Sequence, residues 1–574
     1  MRYHALAADY DGTLAHHGRV DDTTWAALAK LRESGRKVIL VTGRQLDELL
    51  ELIPDPLVFD RIVAENGALI YDPVKKSEHP VAPGPPADFV AELQKRGVDR
   101  ISVGRVIVAT WEPFQDVVLG VIKDLGLELQ VIFNKGAVMV LPSGVNKASG
   151  LAEALVGLGL SPHNVVAVGD AENDHALLMS AECGVAVANA LPSLKTSADI
   201  VTEMDHGAGV RELVERIVGD DLAQTATRLK RHYIRLGKAD EREVGIDPYS
   251  ANIMVCGTSG SGKSTLTTGL LERMDKGGYQ FAVIDPEGDF TTLDFAAVLG
   301  GSQRAPLVTE VVDILANGKD NVVANLLGVA VDHRPELFAQ VLPALGELRS
   351  RSGRPHWLVI DEAHHLLPAT WEPGKDVPLR PHGTIYITVH PGSVTPKIIS
   401  TIDTVIAVGE HPELTLGEFC EAAGIECPHL EPIDKLAPGT VVYWKIGEDP
   451  IVVVTEKPEG ERTRHSRKYA EGNLGADRAF VFRGRDGKLN LRAHNLHLFL
   501  HLGEGVDDDT WQFHLENHEY SKWLRTEVKD AELAAEVDAI ERAGLAPAES
   551  RTRIRASVDK RYTLPSDRAS GLID

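Results

Sequence analysis

Two aspartates stand two positions apart just after an apolar run near the start of the chain. In "ALAADYDGTL", Asp9 and Asp11 are followed by Gly12 and Thr13. Side chains alternate along a strand, so carboxylates at i and i+2 project to the same side at its C-terminal edge, where open α/β sheets bind ligands. The pattern predicts carboxylate chemistry on an anionic substrate. Its plain alternative is an ordinary strand-end turn with solvated acids.

Three further segments follow in order, each with polar or charged residues at the end of a strand or the start of a helix. They are "LVTGR", "GVNKASGL" and "VAVGDAENDHALL", and they contribute Thr42, Lys147, Asp170, Asn173 and Asp174. Mg²⁺ prefers hard oxygen ligands, and a carboxylate can approach a phosphoryl group only when its own charge is offset. The ordered set favours phosphoryl chemistry over the plain alternative.

This ordered set resembles the haloacid dehalogenase-like phosphatases, specifically the Cof-type branch with a small α/β cap, over residues 1–218. The segment "ENGALIYDP" also matches the usual approach to that cap, expected at about 72–142. The resemblance implies that Asp9 is the nucleophile, forming an aspartyl-phosphate, and that Asp11 is the acid/base. It implies Mg²⁺ held by Asp9, the backbone carbonyl of Asp11 and Asp170, with Asp174 as a further ligand or as a residue that orients the ligands. It also implies phosphoryl oxygens bound by Thr42, Lys147 and Asn173.

The cap gives no diagnostic cluster for the substrate. Arg105 and Trp111, in "SVGRVIVATWEPF", could face a sugar or a nucleotide. The alternative places Trp111 in the core and Arg105 in solvent, as large aromatic and charged side chains commonly lie. Substrate identity stays open at this stage.

A second phosphate-binding pattern occurs in the middle of the chain. "GTSGSGKST" satisfies G-x-x-x-x-G-K-[ST] and lies between the apolar strand "ANIMVCG" and a helical segment. Glycines let backbone N–H groups approach phosphates, the lysine reaches the β/γ oxygens, and the serine hydroxyl holds Mg²⁺. The predicted ATP-binding residues of this loop are Gly257, Gly260, Gly262, Lys263, Ser264 and Thr265.

Later strand ends distinguish hydrolysis from phosphate transfer to an alcohol. In "HWLVIDEAHH", Asp361 is placed to hold Mg²⁺ through water, and Glu362 is placed to polarise an attacking water, which a kinase does not need. "FAVIDPEGDF" offers Asp285 and Glu287, and "YITVHP" places His390 where a γ-phosphate sensor would lie. We therefore predict ATP hydrolysis, with Glu362 as the catalytic residue.

These segments together resemble the HerA/FtsK group of RecA-like ATPases over residues 245–458. Members of that group are commonly ring-shaped motors, so the resemblance implies ATP as substrate and a homo-oligomer, with a hexamer as one size to test. Arg349, Arg351 or Arg354 could act across a subunit interface, although a solvated helix end is the simpler interpretation. Nucleic acid as a partner is an analogy only, because no helix-turn-helix, zinc module or basic tail occurs.

The elements that must position these groups alternate between short apolar strands and helical periods in both halves. That alternation predicts an α/β protein with two mainly parallel sheets, a Rossmann-like domain with a small cap and a RecA-like P-loop domain. A helical connector is expected over 219–244 and a charged linker over 459–476. Residues 477–574 are expected to begin with a hairpin turning at Asp486-Gly487 and to continue as a small, mainly helical module for docking or assembly.

Three histidines in this last module, His494, His497 and His501, share one helical face. They could bind Zn²⁺ or Fe²⁺, but without acidic or cysteine ligands in register amphipathic packing is the default.

Composition limits the remaining classes. The chain has 574 residues, enough for three or four domains, and a formal net charge of −24, which argues against a protein that coats polyanions. Four scattered cysteines predict neither a disulfide framework nor a metal site and suit a reducing cytoplasm. No apolar run predicts a membrane span. Two wider hypotheses stay open: trimming of nucleic-acid ends, or ATP-driven assembly that regulates a phosphatase acting on a small phosphorylated molecule.

Overall fold

The computed structural model describes residues 1–134, 136–226, 231–248, 251–371, 382–459, 479–485, 487, 489–528 and 530–562. These residues divide into two compact units, Met1–Glu456 and Lys457–Asp574. Within the described residues, the first unit contains two large sheets and a small one, and the second contains a hairpin and five helices.

Residues 1–226 supply the first large sheet and the small sheet. Their strands are β1 (Ala5–Ala8), β2 (Lys37–Val41), β3 (Arg61–Ala64), β4 (Leu69–Asp72), β5 (Ser77–Pro80), β6 (Ser102–Val103), β7 (Val108–Trp111), β8 (Leu129–Asn134), β9 (Ala137–Pro142), β10 (Val165–Gly169), β11 (Cys183–Ala186) and β12 (Ile200–Val201). Their helices are α1 (Asp22–Glu33), α2 (Leu46–Leu52), α3 (Ala87–Lys95), α4 (Gln115–Asp124), α5 (Lys147–Leu158), α6 (His175–Ser180), α7 (Pro192–Ser197), α8 (His206–Asp220) and α9 (Ala223–Ala226).

The first sheet has the order β12-β11-β10-β1-β2-β3-β4-β5 and is parallel from β12 to β3. Every residue of β1 and β10 is buried, as expected for parallel strands covered on both faces by helices. The predicted Rossmann-like domain is confirmed. Its parallel register brings the C-terminal ends of β1 and β10 to the same edge.

The cap is a four-stranded antiparallel sheet, β6-β7-β9-β8, packed with α3 and α4 around its own apolar core. Its helices and strands run from Ala87 to Pro142, whereas β5 pairs with β4 in the main sheet. The expected start of the cap at 72 is therefore too early, because the hairpin from β4 to β5 extends the main sheet before the chain crosses over.

The second large sheet has eleven strands in the order β14-β13-β23-β22-β21-β15-β20-β19-β16-β18-β17. These strands are β13 (Ile234–Ala239), β14 (Arg242–Ile246), β15 (Asn252–Cys256), β16 (Phe281–Asp285), β17 (Ala296–Gly300), β18 (Asn321–Asn325), β19 (Trp357–Ile360), β20 (Thr384–Thr388), β21 (Thr404–Ala407), β22 (Thr440–Lys445) and β23 (Ile451–Thr455). The helices are α10 (Lys263–Lys276), α11 (Val308–Ala316), α12 (Arg334–Ser352), α13 (Ala363–Leu366), α14 (Pro396–Ile399) and α15 (Pro412–Ala423). Strands β15 to β21 pair in parallel, and the strands at the other end of the sheet, β22, β23, β13 and β14, pair antiparallel.

The connector is where the sequence prediction and the structure differ most. A helix was expected over 219–244, but α8 ends at Asp220, α9 is one turn, and residues 234–246 form the hairpin β13–β14. Ile234, Leu236, Val244 and Ile246 are all buried in the core of the second sheet. Because these residues occur at every second position, one face of each strand packs on the core. The burial of their side chains outweighs the helical tendency of the polar segment before them.

The second unit contains the predicted hairpin, β24 (Phe480–Phe482) paired antiparallel with β25 (Leu491–Ala493). The helices α16 (Leu496–Gly505), α17 (Asp508–Glu516), α18 (Glu519–Thr526), α19 (Ala531–Arg542) and α20 (Pro547–Tyr562) pack with it around a core rich in aromatic side chains. The mainly helical module is confirmed. Asp486 of the predicted turn and nearly all of the predicted linker lie outside the described residues.

Cysteine pairing also differs from the expectation. Cys420 in α15 and Cys427 form a disulfide, with Cα atoms 5.5 Å apart, whereas Cys183 and Cys256 are buried thiols. The spacing of seven positions carries no signal in sequence, since it depends on how the chain turns after α15. Among the described helices none has the length and apolar character that a bilayer crossing requires.

Candidate active sites

The first candidate site lies where β1 and β10 end. Asp9 follows β1, Asp170 and Asp174 follow β10, and carboxylate oxygens of all three buried residues lie within 4.8 Å of one another. Lys147, the first residue of α5, places its Nζ 2.6 Å from Oδ1 of Asp9 and 2.6 Å from Oδ1 of Asp174. Four residues predicted from three separate motifs therefore meet at one point.

Local structure fixes each of these groups. The Asn146 side chain caps α5 by accepting the N–H groups of Ala148 and Ser149 at 2.9 and 3.0 Å, which sets Lys147 on the first turn. Gly12 has φ +93°, and a Cβ there would stand 2.4 Å from Oδ2 of Asp170. A glycine is required, because the turn after β1 passes directly against that carboxylate.

The electrostatics of the cluster favour a cation. Burial, followed by the charge of Asp174, raises the pKa of Asp9 to about 7 against the opposing effect of Lys147. Burial would lower the pKa of Lys147, but the charges of Asp174 and Asp9 outweigh it and raise that pKa above its ordinary value. Two of the three buried carboxylates, Asp9 and Asp174, share one ammonium group, and the oxygen donors of all three are the ligands that Mg²⁺ prefers. The residues present therefore fit a magnesium ion.

The remaining predicted residues of this site line an adjoining cavity of about 720 Å³, which also includes cap residues. Asp9, Asp11, Thr42 and Asn173 all contribute to its wall. Thr42 Oγ1 accepts the backbone N–H of Arg44 at 3.2 Å, and the Asn173 amide donates to Asn66 Oδ1 at 2.9 Å.

Arg44 was missed by sequence reasoning although it stands in the quoted "LVTGR". Its Nε lies 2.5 Å from Oδ2 of Asp11 and its Nη2 lies 2.7 Å from Oδ1, so the guanidinium holds both oxygens of that carboxylate. Its position two residues after Thr42 was the available signal, since the guanidinium of arginine matches the geometry of a phosphate group.

Glu65 is a second residue that the sequence did not single out. Its buried carboxylate accepts the backbone N–H groups of Arg105, Val106 and Ile107 at 2.8, 2.7 and 2.9 Å, which ties the cap to the main sheet. The Arg105 guanidinium pairs with Asp47 and Glu78 and does not line the cavity. Trp111 does line it and is 51% exposed, so the expectation that Trp111 is a core residue is wrong.

The second candidate site is the loop between β15 and α10. Gly257, Gly260 and Gly262 have φ values of +147°, +75° and +103°, and a Cβ at Gly257 would meet the Val408 carbonyl oxygen at 2.0 Å. Lys263 opens α10 and donates from Nζ to the carbonyls of Gly257 and Thr258 at 2.8 and 3.0 Å. The loop thus has the left-handed backbone that glycine permits, at the N-terminus of a helix of 14 residues.

A carboxylate from the next strand completes the loop. Asp285, at the end of β16, accepts the N–H groups of Gly288, Asp289 and Phe290 at 2.7, 3.1 and 2.9 Å. This turn presents Asp289, whose Oδ2 accepts the Ser264 hydroxyl at 2.8 Å. Asp289 was quoted in "DPEGDF" but not singled out. Thr265 follows Ser264 on the first turn of α10 and is partly buried.

Asp361 and Glu362 follow β19, beside these groups. Burial, then the charges of Asp285 and Glu362, raises the pKa of Asp361 well above its ordinary value. Burial, then the charge of Glu287, raises the pKa of Glu362, while Lys263 and His390 lower it. His390 follows β20, its imidazole is 64% exposed, and it is close enough to act on Glu362.

Two of the three arginines considered as partners across a subunit interface are used inside the fold. Arg349 donates to the carbonyls of Pro355, His356, His382 and Gly383, and Arg354 donates to those of Gly318 and Gly159. Arg351 is exposed and pairs with Glu347 at 3.6 Å. Among the described residues, the metal-like clusters do not include His494, His497 or His501. His494 precedes α16, so the three histidines do not share one helical face as predicted.

Comparison with known proteins divides the chain in the same way. Residues 6–99 and 118–214 match the family model described as haloacid dehalogenase-like hydrolase, and residues 248–377 match one described as AAA domain. A phosphoglycolate phosphatase of Methanoculleus marisnigri is 39% identical over 227 residues, which cover 37% of this chain and 95% of that protein. Phosphoglycolate phosphatase 2 of Saccharolobus solfataricus is 30% identical over 224 residues, which cover 38% of this chain and 94% of that protein.

Among solved structures, a haloacid dehalogenase-like hydrolase from Bacteroides thetaiotaomicron shares 20% identity with this chain and a TM-score of 0.34. The match covers 38% of this chain and 99% of the hydrolase chain.

Proposed function

Because the chain belongs to the haloacid dehalogenase-like hydrolase family through its N-terminal domain and carries an AAA domain after it, we propose that it is a bifunctional hydrolase. One site would hydrolyse a phosphomonoester through an aspartyl-phosphate, and the other would hydrolyse ATP. The buried cluster of Asp9, Lys147, Asp170 and Asp174 is the observation that carries the phosphatase assignment.

In the phosphatase reaction, an Oδ of Asp9 attacks phosphorus and the bond from phosphorus to the ester oxygen breaks. Asp11 donates a proton to that leaving oxygen, then takes a proton from the water that releases phosphate from Asp9. The Asp11–Arg44 pair must open before Asp11 can carry a proton, which leaves the Arg44 guanidinium available to the substrate anion. Lys147, Thr42 and Asn173 bind phosphoryl oxygens as charge develops on them.

Mg²⁺ would be held by the carboxylates of Asp9, Asp170 and Asp174 and the backbone carbonyl of Asp11, as the buried oxygen donors suggest. When bound, it supplies positive charge that offsets the nucleophile and the phosphoryl oxygens.

The shape of the cavity favours a small substrate. Its volume of about 720 Å³ lies within the usual range for small-molecule sites, and cap residues such as Trp111 form part of its wall. Arg44 and Arg100 supply positive charge there. Phosphoglycolate, named for the relatives, is therefore the first substrate to test, ahead of a phosphorylated nucleic-acid end, which would have to pass beneath a cap tied down by Glu65.

For the second site, we assign phosphate binding to the loop from Gly257 to Thr265, with Lys263 on the β/γ oxygens. Ser264 and Asp361 would hold Mg²⁺, Glu362 would orient the attacking water, and His390 would sense the γ-phosphate. The raised pKa of the buried acids in this cluster supports a cation there. By its resemblance to ring ATPases, this domain would act as an oligomeric motor or switch.

The direct test is phosphate release from phosphoglycolate, sugar phosphates, 5′- and 3′-phosphorylated oligonucleotides and ATP. We expect Asp9→Asn to abolish phosphomonoester hydrolysis and to retain ATP hydrolysis, and Lys263→Ala to do the reverse. Asp22→Asn, an exposed aspartate on α1, is the matched control. Loss of both activities from either single change would refute two independent sites.

The oligomer and its partner need separate measurements. We expect the mass of the particle in solution to rise with ATP in wild type and Lys263→Ala to lose that response. Stimulation of ATP hydrolysis by DNA or RNA would favour a nucleic-acid motor. Its absence, with activity on small phosphate esters, would favour a metabolite phosphatase under ATP control.

A further inference from the structure

A cluster of three side chains in the second unit has the composition of a metal site. His518 precedes α18, and Asp538 and Glu541 lie one turn apart on α19, so their side chains share a face. One ligand atom from each lies within 4.8 Å of the other two. We propose that His518, Asp538 and Glu541 bind a divalent transition metal of the zinc type.

The spacing of the three groups is that of ligands around a common ion. Nδ1 of His518 lies 3.4 Å from Oε2 of Glu541 and 3.6 Å from Oδ1 of Asp538. Both distances exceed the 2.7–3.2 Å typical of an N–H···O hydrogen bond. Zinc bonds of about 2.0–2.2 Å at tetrahedral angles place neighbouring ligand atoms about 3.3–3.6 Å apart.

Two other histidine–carboxylate pairs, both with well-buried imidazoles, show a contrast. His163 Nδ1 lies 2.8 Å from Glu182 Oε2, and His514 Nδ1 lies 2.6 Å from Glu519 Oε2. Those pairs are direct hydrogen bonds and need no ion between them. The His163 cluster, which also includes His232, is therefore a hydrogen-bonded contact. In the His518 cluster the ligand atoms lie too far apart for direct hydrogen bonds of typical length.

The protein holds each carboxylate by the oxygen that faces away from the cluster. Oε1 of Glu541 accepts the backbone N–H groups of Tyr520 and Ser521 at 3.0 and 3.1 Å, and Oδ2 of Asp538 pairs with Arg542 at 2.8 Å. Such outer contacts orient metal ligands and fix their geometry. The remaining oxygen of each carboxylate is thereby directed to the shared point.

Glu541 provides an independent indication. Its side chain is fully buried, and among the described residues its Oε2 makes no hydrogen bond of normal geometry, with His518 Nδ1 3.4 Å away. A buried carboxylate oxygen without such a bond carries a desolvation cost that a bound cation removes. His518 is 46% exposed, which gives an ion access to the site from solvent.

The donor set decides the class of metal. An imidazole nitrogen with two carboxylates suits Zn²⁺ and its transition-metal neighbours, whereas Mg²⁺ and Ca²⁺ prefer oxygen donors alone. Three protein ligands leave one position for water, as in zinc sites open to solvent. In this position the metal joins the turn before α18 to α19 and stabilises the helix pair.

The test uses the full-length chain, stripped with a chelator and equilibrated with Zn²⁺ in excess Mg²⁺, which occupies the all-oxygen sites. Zinc content is measured after desalting, and unfolding temperature is measured with and without Zn²⁺. We expect wild type to retain one more zinc per chain than Asp538→Asn or Glu541→Gln, and zinc affinity to fall at least about 10- to 100-fold in both. Asp509→Asn, an exposed aspartate on α17, should retain the wild-type content.

Glu541 also caps α18, so Glu541→Gln could unfold the unit. Circular dichroism checks this, and Asp538→Asn is then decisive because Asp538 is 22% exposed. Equal zinc content in wild type and a folded Asp538→Asn overturns the proposal, as does a wild-type unfolding temperature that Zn²⁺ leaves unchanged. With Co²⁺ as probe, visible absorption in wild type that is lost in His518→Gln supports it, and a spectrum that this change leaves unaltered overturns it.

Discussion

Glu182 is the residue through which the two catalytic domains share a buried charge. Its Oε1 accepts Arg2 at 2.7 Å, and its Oε2 lies 2.8 Å from His163 Nδ1 and 3.1 Å from the hydroxyl of Tyr279, which belongs to the ATPase domain. Burial would raise the pKa of Glu182, but the hydrogen bond from His163 and the charge of Arg2 outweigh it and lower that pKa from 4.5 to about 2. We predict that Glu182→Gln destabilises the first unit.

The magnitude follows from that pKa. A shift of about 2.5 units at about 1.36 kcal/mol per unit corresponds to about 3 kcal/mol at neutral pH. Loss of one partner from a buried ion pair costs a similar amount, about 3–5 kcal/mol. With an unfolding entropy of about 2.1 cal/mol/K per residue, a unit the size of Met1–Glu456 should melt about 3 °C lower.

The pH dependence has a definite sign. The folded-state pKa of Glu182 is depressed, so its contribution is complete above about 4.5 and is lost as the pH falls toward 2. Unfolding of wild type, Glu182→Gln and the exposed control Glu215→Gln would be compared between pH 6 and pH 3.5. The difference in unfolding free energy between wild type and Glu182→Gln should become smaller below pH 4.5. A difference in unfolding free energy of less than about 1 kcal/mol at pH 6, or a difference that does not change with pH, would refute the reasoning.

Three further changes test the two sites. Lys147→Met should abolish phosphatase activity and, by leaving two carboxylates buried without their cation, destabilise the unit by about 3–5 kcal/mol in thermal unfolding. Asp289→Asn should lower the rate of ATP hydrolysis about 10- to 100-fold in a coupled assay, whereas Asp294→Asn, on the surface, should not. Gly12→Ala should eliminate phosphate release because its Cβ meets a cluster carboxylate, whereas Gly97→Ala, with φ +82° and open space, should retain it.

The parts of both sites that follow strands were predictable, because a motif and the strand before it are adjacent in sequence. Asp9 after β1, Asp170 after β10 and Asp361 after β19 needed only the rule that parallel strands end at one edge. Lys147 was placed by its resemblance to a known motif. Its contact with Asp9 spans 138 positions and depends on how α5 packs, which residue spacing alone does not determine.

The contacts that the sequence did not predict are those in which a side chain of one segment binds a residue of another segment. Arg44 holds Asp11, Glu65 holds the cap, and Asp289 holds Ser264. Each residue lay in a quoted segment, but its partner is set by tertiary packing. The β13–β14 hairpin was missed for a different reason, since its alternation of buried residues is short and follows a stretch of helical composition.

The contacts between the two domains also separate the two sites. Lys147 begins α5, and the carbonyl of Gly159 at the other end accepts Arg354 of the ATPase domain at 2.7 Å. Lys263 begins α10, and the carbonyl of Gly277 at its far end lies 2.6 Å from Nε2 of His163. Each of these two lysines thus opens a helix whose C-terminal end meets a basic side chain of the other domain, a favourable arrangement for the helix dipole.

At 1.5 Å per residue, these helices of 12 and 14 residues place each lysine about 18–21 Å from the shared contact. The strand directions indicate the same separation. His163, Tyr279 and His356 lie just before β10, β16 and β19, whereas both sites lie at the opposite ends of the strands. We therefore expect no direct transfer of a phosphoryl group between the two sites across this interface. We infer that an influence of ATP carried through this interface would act through α5, α10 and these strands.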